Sequence, residues 1–230
     1  EKRCYAFLDS HKQGLFPRQI AYLLTRHYQQ TDKMASVKKL LPYIQGFFPP
    51  SDSLATRYDV ELYYMQAIAS LMTFKYDEAL AGFEYVQEQY PASHQEDNLA
   101  YWHAMTLMFM QKYEDAYPEF EAYLENFPEG KWVASANFQL GTCMFGMEEY
   151  EKAKERFTVV IEQFPDSPPY PDALSMRADI VGAEEGETKL DDAIADYQKA
   201  IRAAQAVFDE APARSVKQAT YATFQLATAY

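Results

Sequence analysis

A fixed internal period is the strongest constraint on this chain. Tyr76-x-x-Ala79-x-x-x-Phe83, closed by Tyr90-Pro91, recurs as Tyr113, Ala116, Phe120 and Phe127-Pro128, then as Tyr150, Ala153, Phe157 and Phe164-Pro165. The interval is 113−76 = 37 and 150−113 = 37, and the alanines, phenylalanines and prolines keep it. A period of this size implies stacked supersecondary units, each burying a face against its neighbours.

Within a unit the apolar spacing is helical. Ala79, Phe83, Val86 and Tyr90 step by four, three and four, one stripe of a helix. The segment before it carries its own stripe, Tyr64, Ala67 and Leu71, repeated as Tyr101, Ala104 and Met108. Each unit therefore reads as helix A, a tight turn and helix B. Proline has no N–H to donate and restricts the residue before it, so Pro91, Pro128 and Pro165 end the B helices. Ala79, Ala116 and Ala153 are small where two helices approach, and the phenylalanine four residues on fills the space beside them.

These residues resemble the tetratricopeptide repeat family. In the three clean repeats a small residue (Ala67, Ala104, Gly141) lies twelve before the helix-B alanine and the proline twelve after it, as that family's pattern requires; Ala178 is the small residue of the next helix A. The period of 37 makes the link three residues longer than the family's 34. The resemblance implies an all-α fold, a right-handed superhelical solenoid of antiparallel helix pairs.

The organisation expected is N-terminal, degenerate repeat-like helices over 1–52 and a repeat array over 53–230, with units at about 57–91, 94–128, 131–165 and 170–205 and a half unit at 215–230. The fourth unit places Leu190, Ala193 and Tyr197 at the Tyr, Ala and Phe positions after a turn three residues longer (193−153 = 40), assigned to 182–187. Ala222 to Ala229 copies Ala136 to Cys143 and reads as a fifth helix A. Upstream, Gln19 to Tyr28 and Asp32 to Ile44 read as one degenerate repeat ending at Pro49-Pro50, with Glu1 to Gln13 as another half. An array ending on half a unit exposes an apolar face. The expectation is a fragment of a longer protein, or a partner or second copy on that end, which leaves homo-oligomer formation there open.

Charge narrows the partners. Residues 1–75 carry ten Lys/Arg and six Asp/Glu, and residues 76–230 carry eleven and twenty-eight, so +4 and −17 sum to the net −13. The acidic repeat region repels phosphate backbones, and no nucleic-acid partner is expected. No apolar run approaches the roughly 18 residues of a membrane span, so direct membrane insertion is not expected either. No signal peptide is visible, but the chain opens on Glu1 and not Met, so a segment removed earlier is compatible with it. Cys4 and Cys143 lie in different units and read as two unpaired core thiols.

Motifs of chemistry are missing. No nucleotide-binding glycine loop, G-x-S-x-G or H-E-x-x-H occurs. His11, His27, His94 and His103 are dispersed. The acidic pairs Glu148-Glu149 and Asp191-Asp192 fall at turns or helix starts, where negative charge favours the N-terminal dipole. No enzyme activity, cofactor or metal is expected.

The family resemblance also implies where a partner sits, because helices A line the concave face of such arrays. Carried onto this chain, the positions are Tyr64 and Ile68, Tyr101 and Met105, and Phe138 and Thr142, with Ser175 and Asp179 in the fourth unit. Co-chaperone members present Lys and Asn there to hold a terminal carboxylate. Aromatics in their place exclude that specificity and suit an apolar or extended protein or peptide segment. The same stripe is equally what packs one helix A on the next, and both readings stand at this stage. Trp102 reads as buried, and Trp132 falls in a link.

The run Phe157 to Pro168 resembles bacterial cell-envelope repeat proteins, among them the periplasmic coordinator associated with the Tol-Pal system and the outer-membrane assembly lipoproteins. That likeness implies an interaction scaffold in the periplasm or on the periplasmic face of the outer membrane. The alternatives are an accessory or regulatory array of a larger protein, or a glycan-binding helical-repeat protein of the envelope.

Overall fold

The computed structural model describes residues 1–47, 49–50, 52–91, 93, 96–184 and 187–210, and all regular structure among them is helical. The half unit expected at 215–230 lies outside the described residues. The chain forms two compact units, 1–112 and 113–230.

The first unit runs α1 (Lys2–Ser10), α2 (Leu15–Gln30), α3 (Met34–Val37), a 3-10 turn (Lys38–Leu40), α4 (Leu41–Gln45), α5 (Ser53–Met72), α6 (Tyr76–Gln89) and α7 (Glu96–Phe109). The second runs α8 (Tyr113–Asn126), α9 (Val133–Gly146), α10 (Tyr150–Gln163), α11 (Tyr170–Ala183) and α12 (Glu187–Glu210). Helices α6, α8 and α10 start on the motif tyrosines and end two residues before the motif prolines, as the sequence predicts. Acidic residues in their first turns (Asp77 and Glu78, Glu114 and Asp115, Glu151) complement the helix dipole. In the fourth unit the expected turn at 182–187 is shorter, because α11 continues through Gly182 and Ala183.

One turn is used four times. Asp32, Phe74, Gln111 and Glu148 all have a left-handed backbone, with φ of 54°, 59°, 59° and 63°. Each lies two residues past one helix and two before the next. The next amide reaches back five residues in every case: Lys33 to the Tyr28 carbonyl (2.8 Å), Lys75 to Ser70 (2.9 Å), Lys112 to Leu107 (3.0 Å), Glu149 to Met144 (2.8 Å). This is the Schellman closure, which satisfies carbonyls left over at a helix end. The same closure at Asp32 joins α2 to the segment 34–45. That segment is broken into three pieces because Pro42 has no N–H and its ring crowds the carbonyl of residue 38, where the chain tightens to 3-10.

The motif residues build the core between the helices of their own repeats, while Leu8, Ala21, Leu24, Val37 and Leu40 form a separate cluster over the N-terminal helices. Ala79, Phe83 and Val86 on α6, and Ala153, Phe157 and Val160 on α10, are fully buried. Each such phenylalanine contributes about 1.5–3 kcal/mol through the apolar surface it removes from water. In two of the pairs close approach of helix A to helix B rests on a glycine, on helix B in α5/α6 and on helix A in α9/α10. A Cβ on Gly82 would stand 2.9 Å from the Cβ of Ala67, and one on Gly141 would stand 2.8 Å from Phe157 Cε1 and 3.2 Å from Arg156 Cβ. The motif tyrosine covers the end of the following helix A. Tyr76 stacks on Phe109 (6.1 Å, 14°), and the Tyr113 ring lies where a Cβ of Gly146 would be, 2.7 Å away.

A buried ion pair anchors α2 to α5. Arg18, 1% exposed, donates from Nε to Asp59 Oδ1 (2.7 Å), from Nη2 to Oδ2 (3.0 Å) and from Nη1 to the Gly14 carbonyl (2.9 Å). Burial pushes the Asp59 carboxyl up and Arg18 pulls it back, with burial prevailing. Removing one partner of such a pair costs about 3–5 kcal/mol, because the other charge stays buried.

Neither cysteine forms a disulfide among the described residues; Cys143 is buried and Cys4 half-buried. Among the described residues no helix is long and apolar enough to cross a membrane.

Candidate interaction face

The residues the sequence places on the helix-A face fall on α5 and α7 of the first unit and on α9 and α11 of the second. Tyr64 is half-buried with its ring 6.1 Å from that of Phe83, and burial pushes its hydroxyl well above the usual tyrosine range. Ile68 is half-buried against the same cluster. Tyr101 and Met105, one repeat later, are buried (4% and 8% exposed), and the Tyr101 ring meets Trp102 edge-on at 5.4 Å. Trp102 itself is half-buried, short of the burial expected for it.

In the second unit Phe138 is half-buried, 5.6 Å from Phe157, and Thr142 donates to the Phe138 carbonyl (3.0 Å). Ser175 is buried and bonds to the Pro171 carbonyl (3.1 Å), while Asp179 accepts from the Tyr197 hydroxyl. Trp132 is half-buried in its link, held by its amide on the Tyr123 hydroxyl (3.0 Å) and covered by the Lys131 ammonium, 4.4 Å from the ring centre.

Counting back from the left-handed residue of each turn uncovers two residues that consensus matching missed. Tyr64, Tyr101 and Phe138 each lie ten before it, and so does Tyr22 before Asp32. Ile68, Met105 and Thr142 lie six before it, and so does Arg26. Tyr22 is half-buried, edge-on to Tyr58 at 5.4 Å, and Arg26 is exposed. The aromatic position thus recurs in four successive A helices. No group of three or more His, Cys, Asp or Glu that could hold a metal occurs among the described residues.

Residues 61–93 and 135–167 match the model of the tetratricopeptide repeat, and the two matches are offset by 135−61 = 74, twice the period. Solved structures with the same fold include MamA (41 to end) of Desulfovibrio magneticus RS-1, at TM-score 0.61 and 18% identity over 82% of this chain and 96% of that one. They also include YrrB, described as a TPR protein with an unusual peptide-binding site, at TM-score 0.58 and 20% identity over 97% and 98%. PilF of Pseudomonas aeruginosa aligns at TM-score 0.60 and 15% identity over 93% and 91%. No curated protein matches the chain in sequence.

Proposed function

We propose that this chain, which has the fold of tetratricopeptide repeat proteins, is a non-catalytic scaffold that binds a protein or peptide through its helix-A face. The observation that carries the reading is the aromatic position shared by Tyr22, Tyr64, Tyr101 and Phe138, with three of the four rings only half-buried. Rigid rings lose little rotamer freedom on contact and dominate protein interfaces. The peptide-binding site named for YrrB, a structure of the same fold, supports the reading. The setting proposed is a bacterial cell-envelope complex, periplasmic or on the periplasmic face of the outer membrane, supported by the resemblance of the run Phe157 to Pro168 to envelope repeat proteins.

Site-specific photocrosslinking in native cells tests this. Benzoylphenylalanine at Ile68 or Phe138, both half-buried, should trap one specific protein, and the same probe at exposed Glu88 on α6 should not. Trapping at Glu88 alone would move the interface off the helix-A face and refute the proposal.

A further inference from the structure

Helices α2 and α5 pack side by side, tied by the Arg18–Asp59 pair and by Tyr22, whose ring meets Tyr58 edge-on at 5.4 Å. Tyr22, Tyr58 and Tyr64 from these two helices are all half-buried, and Arg26 is exposed one turn beyond Tyr22. None of the three hydroxyls makes a hydrogen bond among the described residues, whereas buried Tyr28 of α2 is bonded through its hydroxyl to Tyr5 (3.0 Å). Arg26 likewise forms no ion pair among the described residues. Burial, and then the negative charge of Glu61, push the Tyr64 hydroxyl up, so Glu61 lies beside that ring.

The spacing of the two helices selects the backbone that can lie across them. Packed helices stand about 8–10 Å apart. A left-handed polyproline segment repeats every three residues, about 9.3 Å, so side chains three apart meet successive helices. Its carbonyls have no internal partner, and unengaged tyrosine hydroxyls are donors that can meet them. Aromatic rings are also the surfaces on which proline-rich segments dock. A helical segment satisfies its own carbonyls and would leave those hydroxyls unused. An added β-strand needs a sheet edge, and the described residues contain no strand.

We propose that the α2/α5 part of the helix-A face takes a proline-rich segment of the partner in the polyproline conformation. Prolines three residues apart lie on the Tyr22–Tyr58 pair and on Tyr64, and an acidic side chain beside the first proline is held by Arg26. Glu61 repels a second carboxylate at the α5 end, so charge sets which end of the segment lies on α2. Such a segment is already extended before it binds and loses little conformational freedom. The inference names the partner chemistry of the helix-A face and rests on that reading.

The test titrates acetylated, amidated peptides, which carry no terminal charge, into the isotope-labelled chain and follows it by NMR. The peptides are Asp followed by a run of prolines, the same peptide with Asn for Asp, and a glycine-serine peptide of equal length beginning on Asp. Saturable shifts at Tyr22, Arg26, Tyr58 and Tyr64 are expected for the first. The Asn peptide should bind roughly two- to fivefold more weakly, the scale of an exposed ion pair, and Arg26→Gln should remove that difference. Tyr22→Phe and Tyr58→Phe keep the ring and drop the hydroxyl, and each should weaken the proline peptide roughly two- to tenfold. Unchanged resonances outside α2 and α5 would establish that the variants fold. No saturable binding of the proline peptide, equal binding of the glycine-serine or Asn peptide, or an affinity untouched by both Phe variants would each overturn the proposal. If photocrosslinking at Ile68 or Phe138 still traps a protein in that event, the helix-A reading stands and the polyproline ligand alone falls; if crosslinking fails too, both fall.

Discussion

Gly141→Ala probes how closely helix A and helix B approach in the second unit. The new Cβ would stand 2.8 and 3.0 Å from two carbons of Phe157 and 3.2 Å from Arg156 Cβ. Ordinary carbon–carbon contacts lie at about 3.5–4.0 Å, so the overlap is roughly half an ångström or more. Phe157 is fully buried and cannot swing into solvent, and Arg156 Cβ is rooted on the α10 backbone. Relief therefore needs α9 and α10 to part. Adding carbon to a filled core costs about 1–3 kcal/mol, and replacing a mid-helix glycine by alanine returns about 1 kcal/mol. The net expectation is a loss of about 1 kcal/mol, or a fall of roughly 2–4 °C in Tm for a chain of this size. Repeat arrays do not always unfold in one step, so amide exchange of α9 and α10 is the local readout beside urea unfolding. In the Phe157→Leu background, which vacates ring volume, the alanine should instead stabilise. A raised urea midpoint for Gly141→Ala alone, or an equal loss in both backgrounds, would refute the contact as its cause.

Glu148→Gly should stabilise by about 0.5–1 kcal/mol in urea unfolding, because an L side chain at its φ of 63° is strained and glycine is not; a loss would mean the turn is held by its side chain. Glu78 is held at about 2 by the Lys38 and Lys75 ammonium groups that bond to it. Its folded pKa lies below the ordinary 4.5, so its stabilisation is complete above pH 4.5 and vanishes as pH falls through about 2. A carboxyl NMR titration should show that midpoint, and Lys38→Met should raise it. Burial pushes the Cys143 thiol up to about 12, so a thiol reagent at neutral pH should label Cys4 quickly and Cys143 only in denaturant. Equal rates for both would place Cys143 in solvent.

The period alone determined the B helices, their prolines and the buried Ala and Phe columns, because each depends on residues close in sequence whose spacing is that of a helix. Tertiary structure decided what the consensus does not encode. The recurring turn is invisible in composition, since Asp32, Phe74, Gln111 and Glu148 share a backbone conformation and no side-chain chemistry. Only that conformation aligns α2 with the later A helices and brings Tyr22 and Arg26 into register with Tyr64 and Ile68. The burial of Tyr101 beside the half-exposure of Tyr64 likewise reflects neighbours that differ from repeat to repeat. Spacing along the chain sets which residues face inward. How much room they leave depends on the volumes that meet them from the next helix.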